Sequence, residues 1–275
     1  MDLNTRVTAW KNSRKEENLA ESRKFWDLRA DEFNDITLRD EITKESMDCI
    51  NFLLSKGALG EKDKVLDIGC GAGKYSLAFA ERTGYVTGID ISPRMVEFSR
   101  KNFAAKGLRN GEFHAISWQE LDIKTRGWEK EFDLVFASMS PAVNSYETLM
   151  KMNSVSKKHC FLSGFVYRED DIKNYLLYEL GGSMDRHPPS TVYFAFNILW
   201  QLGIYPELVY RDRVWKKEWP ADKAVEIYQY QLQRYFPERR RLKEHIEQLL
   251  AQISRDGVID GTMKAKIGWL YWQVP

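Results

Sequence analysis

The sequence predicts an α/β protein. Its expected core is a doubly wound, mostly parallel seven-stranded sheet with helices on both faces. An N-terminal helical segment precedes it, and a two-helix insertion separates the last two strands. Three observations predict this. Val65-Leu66-Asp67-Ile68 passes into glycines at 69, 71 and 73 and then into helical spacing, which is the start of a βαβ unit. Four more strand-like runs alternate with helical stretches up to Val166, the pattern of a parallel sheet. Beyond residue 166, strand readings at 208–215 and 268–274 enclose two amphipathic helices.

In chain order, residues 1–35 are charged and read as two helical pieces, with a polar break at Asn34-Asp35. Met47, Ile50, Leu53 and Leu54 recur at helical spacing, and that helix stops near Gly57. Strand one covers 64–68 and its helix about 73–82. Strand two is Tyr85–Asp90. Ser92 is a good N-cap with Pro93 at the first helical position, and the helix runs to Gly107. Strand three, about 111–116, leads into the turn Ser117-Trp118-Gln119-Glu120. Phe132–Ala137 is strand four, followed by Ser138-Met139-Ser140-Pro141. A helix over 144–154 and a strand over 159–166 complete the alternation.

The second half reads differently. A helix over 170–180 is broken by Gly181-Gly182, and a polar loop runs to Pro189. An aromatic helix follows over 191–202. The two inserted helices carry Val225, Tyr228, Leu232 and Tyr235 on one face, and Leu242, Ile246, Leu249 and Ile253 on another. The chain is read as a single domain over 1–275. It comprises a helical segment (1–60), a nucleotide-binding core (61–166) and a substrate-side half (167–275). The insertion, about 219–257, is a candidate lid, a contact for a homodimer, or a passive cap.

Composition narrows the function classes. Lys and Arg total 41 against 40 Asp and Glu, so the net charge of +1 offers no global field to nucleic acid or an anionic membrane. Hydrophobic content of 43% and charged content of 29% suit a globular core. Cys49, Cys70 and Cys160 lie far apart with no C-x-x-C, which argues against a zinc site or disulfide framework and fits a reducing compartment. No apolar run approaches ~18 residues and the N-terminus has no apolar signal region, so a cytoplasmic location is expected. Arg239-Arg240-Arg241 and Lys243 are interleaved with Glu238, Glu244 and Glu247. That is the pattern of a solvated helix face rather than a nucleic-acid patch.

The glycine turn carries the chemistry. Glycines there let the backbone approach a ligand, and the following helix presents free N–H groups and the positive end of its dipole. Lys74 stands where a dinucleotide fingerprint needs its third glycine. Gly73-Lys74-Tyr75 lacks the Ser or Thr of a P-loop. Asp67, inside an apolar strand, suits the amine of a zwitterionic ligand. Asp90, about twenty residues past the turn and ending strand two, suits a ribose diol. It could also serve as an N-cap, a role that Ser92 already fills.

The string VLDIGCGAG at 65–73 resembles motif I of the class I S-adenosylmethionine-dependent methyltransferases. Phe25-Trp26-Asp27-Leu28-Arg29-Ala30 is similar to openings that fold over the cofactor in many small-molecule members, or is an amphipathic helix packed on the core. The resemblance spans roughly residues 25–166 and implies S-adenosylmethionine as cofactor. It implies that Asp67, Gly69, Cys70, Gly71 and Gly73 hold the methionine part and Asp90 the ribose. Ile91 and Met95 would lie by the adenine with Ser117 and Trp118, and Ala137 and Ser138 near the methyl group. Ser117 departs from the usual Asp, so the Trp118 N–H or the Gln119 side chain could substitute. The Trp118 ring could stack on adenine or merely pack.

The loop after strand four lacks the N/D-P-P-Y signature of adenine- and glutamine-N-methyltransferases, which favours a small-molecule acceptor over nucleic acid. Methyl transfer from a sulfonium is an in-line displacement governed by alignment, so no catalytic constellation is required. His187 is the best candidate base. Met139, Tyr167 and Tyr193 are further substrate-side candidates, and no metal is expected. His114 and His159 read as structural and His245 as solvated. Competing readings are an RNA or protein methyltransferase, a non-catalytic adenosylmethionine-binding protein, and an NAD-linked oxidoreductase, which Lys74 opposes.

Overall fold

The computed structural model describes residues 2–14, 18–182, 189–233 and 235–275, with backbone alone at 40–45. Four helices come first: α1 (Leu3–Asn12), α2 (Leu19–Leu28), α3 (Ala30–Leu38) and α4 (Asp40–Ser55). The alternating part is β1 (Lys64–Ile68), α5 (Lys74–Ala80), β2 (Tyr85–Asp90), α6 (Pro93–Ala105), β3 (Gly111–Ala115), β4 (Phe132–Ser138), α7 (Tyr146–Val155) and β5 (Ser156–Asp170). There follow α8 (Asp171–Glu179), α9 (Thr191–Gln201), β6 (Glu207–Pro220), α10 (Ala221–Leu232), α11 (Leu242–Ile253) and β7 (Val258–Gln273). The strands form one sheet in the order β3-β2-β1-β4-β5-β7-β6, and β1–β2, β1–β4, β2–β3 and β4–β5 pair in parallel.

The chain divides into two compact units. The first is Met1–Gly164 with Thr191–Val209 and Gly268–Pro275; the second is Phe165–Ser190 with Tyr210–Ile267. In the first unit β1 and β4 are buried on both sides, which is why they read as continuous apolar runs. Period-two alternation sends successive side chains to opposite faces. Phe136 therefore meets Tyr75 and Phe79 of α5, at 4.9 Å between ring centroids in each case. Val135 and Ala137 join the core that includes Leu149 of α7 and Ile198 of α9. Trp10 of α1 stacks on Phe194 of α9 at 5.7 Å.

In the second unit α10 and α11 pack by the apolar faces expected for them, with Val225, Tyr228, Leu232, Leu242 and Ile246 buried. A polar knot lies at the start of α8. Asp170 caps the helix through the Lys173 N–H, takes an ion pair from Lys217 at 2.5 Å, and accepts the Tyr228 hydroxyl at 3.1 Å.

Several sequence expectations need correction. The N-terminal segment before α4 has three helices rather than two pieces. α3 runs straight through Asn34-Asp35, because the Asn34 side-chain Oδ1 accepts from the Asn102 amide of α6 and gives that polar position a tertiary partner. The break falls at Arg29 instead. β5, β6 and β7 reach 15, 14 and 16 residues, well beyond the predicted ranges. The added residues at 167–170, 216–220 and 258–267 lie in the second unit, where charged residues interrupt the apolar strand signal. Arg239–Arg241 precede α11 rather than sit on it, and Arg239 donates to the Leu180 carbonyl at 2.6 Å. Lys243 is on the helix and reaches Glu247 at 4.0 Å, while Arg241 pairs with Glu244 at 3.3 Å. His245 is half-buried, not solvated, and its Nδ1 has no hydrogen-bond partner.

Candidate functional site

The glycine turn is held by its own strand neighbours. β1 ends at Ile68 between β2 and β4. The Gly69 and Cys70 N–H groups both donate to the Ile89 carbonyl, at 2.8 and 3.0 Å, and the Gly71 N–H donates to the Asp90 carboxylate at 2.9 Å. Gly69, Gly71 and Gly73 have φ of 73°, 55° and 92°, the left-handed region that costs other residues energy. At Gly69 a Cβ would also fall 2.7 Å from the Ser140 Cβ. That glycine thus brings the turn against the loop after β4.

Two acids flank the turn. Asp67 is only 2% exposed and accepts the Ser76 hydroxyl at 2.6 Å. Burial pushes its carboxyl up to about 7, aided by the nearby Asp90 and opposed by the Ser76 hydrogen bond. Asp90 keeps part of its surface open and accepts the Ser92 N–H at 2.9 Å as well as that of Gly71. Burial pushes it up to about 6, against the hydrogen bonds from Ser92 and Gly71. Among the described residues no lysine or arginine contributes to either shift. A buried and a part-buried carboxylate that no described cation neutralises are costly, and they suit a ligand that brings positive charge and hydroxyl donors.

The remaining candidates divide. Cys70 is buried beside Ser99, with its thiol pushed up by burial. Ile91 is half-buried next to Asp90; Met95 is buried on α6, and Ser117 opens the turn after β3. Ala137 is part of the core. The Ser138 hydroxyl meets that of Ser163 at 2.9 Å. Met139, at φ 55°, donates its N–H to the Ser163 carbonyl and hydroxyl, each at 3.1 Å. The strand end is thereby fixed by its neighbour β5.

Of the two readings of the Trp118 ring, stacking on adenine or packing, the structure shows packing. It is 1% exposed, and its indole N–H donates to the Thr148 carbonyl at 3.2 Å, so its faces are spent on packing. Only its backbone is left for a ligand. Tyr193 is 52% exposed on α9. Tyr167 belongs to the second unit, where its hydroxyl donates to Glu169 at 3.2 Å. His187 lies outside the described residues. His159 is buried in β5 and bonded to the Tyr271 hydroxyl at 2.9 Å, with burial lowering its affinity for a proton. Among the described residues no group of three metal-ligating side chains occurs.

Sequence reasoning missed three polar residues behind the turn and one contact of a fourth. The Ser99 hydroxyl donates to the Gly71 carbonyl at 2.6 Å, and Asn102 donates to the Ala72 carbonyl at 2.9 Å. Ser76 holds Asp67, and Asp27 of α2 accepts the Ser92 hydroxyl at 2.5 Å. Ser99 and Asn102 were detectable in principle. They sit four and seven residues after Met95, on the buried stripe of an amphipathic helix. Asp27 lies in the Phe25–Ala30 segment singled out by resemblance, but its bond to Ser92, 65 residues away, left no local signal.

Residues 59–174 match the family described as "Methyltransferase domain". Over those residues, less than half of the chain, the protein carries a methyltransferase domain. The chain is 43% identical over 91 residues to aklanonic acid methyltransferase DauC of Streptomyces sp. (strain C5), covering 32% of this chain and 38% of that one. It is 38% identical over 78 residues to the 23S rRNA (uracil(1939)-C(5))-methyltransferase RlmD of Klebsiella pneumoniae, covering 28% and 18%. The chain thus spans well under half the length of these curated relatives. Among solved structures, the [4+2]-cyclase SpnF has a TM-score of 0.51 at 15% identity, over 91% of this chain and 96% of that one, a likeness of fold alone. The cofactor of this class of domain is S-adenosylmethionine. Among the described residues no helix is long and apolar enough to cross a membrane.

Proposed function

We propose that this chain, on a doubly wound sheet with helices on both faces, transfers the methyl group of S-adenosylmethionine to a small-molecule acceptor. The observation that carries this is the pair Asp67 and Asp90, buried or part-buried with no cation beside them among the described residues, on either side of three left-handed glycines. When bound, the cofactor supplies an electrophilic methyl on a positively charged sulfur. Asp67 takes the ammonium end of the methionine part, and Asp90 accepts both ribose hydroxyls. Gly69, Cys70, Gly71 and Gly73 form the floor against which the methionine part lies. Ile91 and the backbone of Ser117 and Trp118 border the adenine, with Met95 behind them. Ala137, Ser138 and Met139 line the approach to the methyl group. His187, Tyr167 and Tyr193 remain acceptor-side candidates, and His187 would take a proton if the acceptor must lose one.

The chain's part in the step is alignment and exclusion of water, since an in-line displacement gains most from holding nucleophile, methyl and leaving group on one axis. Three things support a small acceptor: the near-zero net charge, the absence of an N/D-P-P-Y loop, and the DauC likeness. The rRNA enzyme among the relatives keeps an RNA acceptor as a defined outcome of the test. The protein acts alone or as a homodimer in a reducing compartment such as the cytoplasm.

The test is thermal stabilisation. S-adenosylmethionine and its demethylated product should raise the melting temperature and NAD should not. Asp90→Ala should remove the shift, because loss of a charged acceptor to two hydroxyls weakens binding on the order of a hundredfold. A shift with NAD alone would overturn the reading. Salt-sensitive retention on RNA with methyl incorporation into it would move the acceptor to nucleic acid.

A further inference from the structure

The acid at the end of β2 is the last member of a line of hydrogen bonds that begins on α2, all of it within the first unit. Each Asp90 carboxylate oxygen takes one backbone donor: Oδ1 the Ser92 N–H and Oδ2 the Gly71 N–H, both at 2.9 Å. Ser92 is fully buried at the N-cap of α6. Its hydroxyl oxygen accepts the Met95 N–H at 3.1 Å, which uses its acceptor side in the way of an N-cap. Its proton goes to the Asp27 carboxylate at 2.5 Å.

Capping alone does not call for that last bond. A charge-assisted hydrogen bond is short and directional, so it fixes the Ser92 rotamer and, through it, the backbone that aims the Ser92 N–H at Asp90. That aim decides which lone pairs of Asp90 are left for a ligand. Asp27 is half-buried and is itself held by α6. The Arg94 N–H reaches the Asp27 carboxylate and the Arg94 guanidinium its carbonyl, each at 3.4 Å. The guanidinium also takes both Asp31 oxygens, at 2.8 and 2.7 Å. Burial raises the Asp90 carboxyl first and the Asp27 charge adds to it, against the hydrogen bonds from Ser92 and Gly71. Asp67 of β1 and the Cys70 thiol also interact with Asp90, while Arg94 is turned to Asp31 and His114 of β3 to Glu112.

We propose that Asp27 is a positioning residue for the ribose end of the cofactor site: through the Ser92 hydroxyl it holds Asp90 in the orientation that reads a 2′,3′-diol. The role needs no contact between Asp27 and the ligand. It rests on the methyl-transfer reading, in which Asp90 takes the ribose.

The test is calorimetry on the full chain with S-adenosylhomocysteine and its 2′-deoxy analogue. Wild type should prefer the ribose form by roughly tenfold or more, the worth of a hydrogen bond to a charged acceptor. Asp27→Ala should cut that preference by about threefold or more. Ser92→Gly removes the hydroxyl yet leaves a tolerated N-cap residue, so it should cut the preference equally and carries the comparison if Asp27→Ala melts too low to titrate. Combining the two should cut it no further, because both break the same line. Asp27→Asn keeps an oxygen for the Ser92 hydroxyl and removes the charge. It should restore the preference, while the pH at which affinity falls half-way moves down, since Asp90 then ionises more easily. Arg94→Gln removes the ion pair to Asp31 and should leave the preference as in wild type. A preference unchanged in both Asp27→Ala and Ser92→Gly, or lowered as far by Arg94→Gln, would overturn the proposal and leave the methyl-transfer reading intact. Equal binding of the two ligands by wild type would remove the ribose role of Asp90 and this proposal with it. Binding of neither would remove the methyl-transfer reading too.

Discussion

Each of the two units buries acidic side chains, and the units treat them in opposite ways. In the second unit Asp170, 4% exposed, is fully answered by its own chain: Lys217, the Tyr228 hydroxyl and the Lys173 N–H. In the first, Asp67 and Asp90 receive a hydroxyl and backbone N–H groups but, among the described residues, no cation, and their carboxyls are pushed up to about 7 and 6. An answered charge organises a fold. A charge left short of a counter-ion stores a demand that a cationic ligand can meet. The same residue type thus serves architecture in one unit and ligand capture in the other, and the difference lies in whether a lysine is within reach.

The comparison can be broken by removing one member at a time. Asp170→Ala should have the largest effect on stability, about 3 kcal/mol or more, because it strands Lys217 in a site where its side chain is 13% exposed. Asp170→Leu with Lys217→Met should recover much of that loss in denaturant melts. If the single variant were neutral, the pair would not organise this unit. Next comes Gly69→Ala, which meets both a φ of 73° and the Ser140 side chain. About 2 kcal/mol of stability should be lost, together with the cofactor-induced thermal shift. Ser140→Gly in that background should return part of the stability and none of the backbone strain.

Asp67→Asn sharpens the contrast by moving stability and function in opposite directions. The folded carboxyl titrates near 7 against an ordinary 3.8, so the folded state holds the proton more tightly. Stability from this group is present below about 4 and is lost as pH rises through 7. The neutral amide escapes that loss. At pH 8 the variant should be more stable than wild type, on the order of 1–2 kcal/mol after allowance for the changed Ser76 hydrogen bond. It should bind S-adenosylmethionine far more weakly. Lower stability at pH 8 would show that the carboxylate is already satisfied. The smallest effect is on pH dependence. Both acids must be ionised to hold the cofactor, so affinity should be nearly flat above pH 8 and fall about twentyfold between pH 8 and 6, with proton release on binding seen calorimetrically.

How much of this was readable in advance follows the range of the interactions. The turn at 69–73, Asp67, Asp90 and the Ser92 cap are contiguous or helix-local, and each was legible from residue type and spacing. The Trp118 ring was ambiguous, because a loop tryptophan carries no sign of which way it points; only the Thr148 carbonyl and the surrounding core decide it. The end of β6 and the first part of β7 were missed because charged residues (Lys216, Lys217, Glu218, Asp260, Lys264 and Lys266) and Gly261 interrupt their apolar pattern. Helix α3 was cut short at Asn34 for want of a partner that lies 68 residues away.

By itself the sequence determined the order of strands and helices, the left-handed glycine turn and the kind of ligand its two acids would suit. These rest on short-range physics: backbone dihedrals, side-chain period and capping. The tertiary structure alone decided which charges are answered and which are left for a ligand. That depends on which side chains from distant segments reach the same buried space, where the loss of solvent raises the cost of every unpaired charge. Asp67, Asp90 and Asp170 are the same letter in the sequence, and only the presence of Lys217 beside the last of them sets their roles apart.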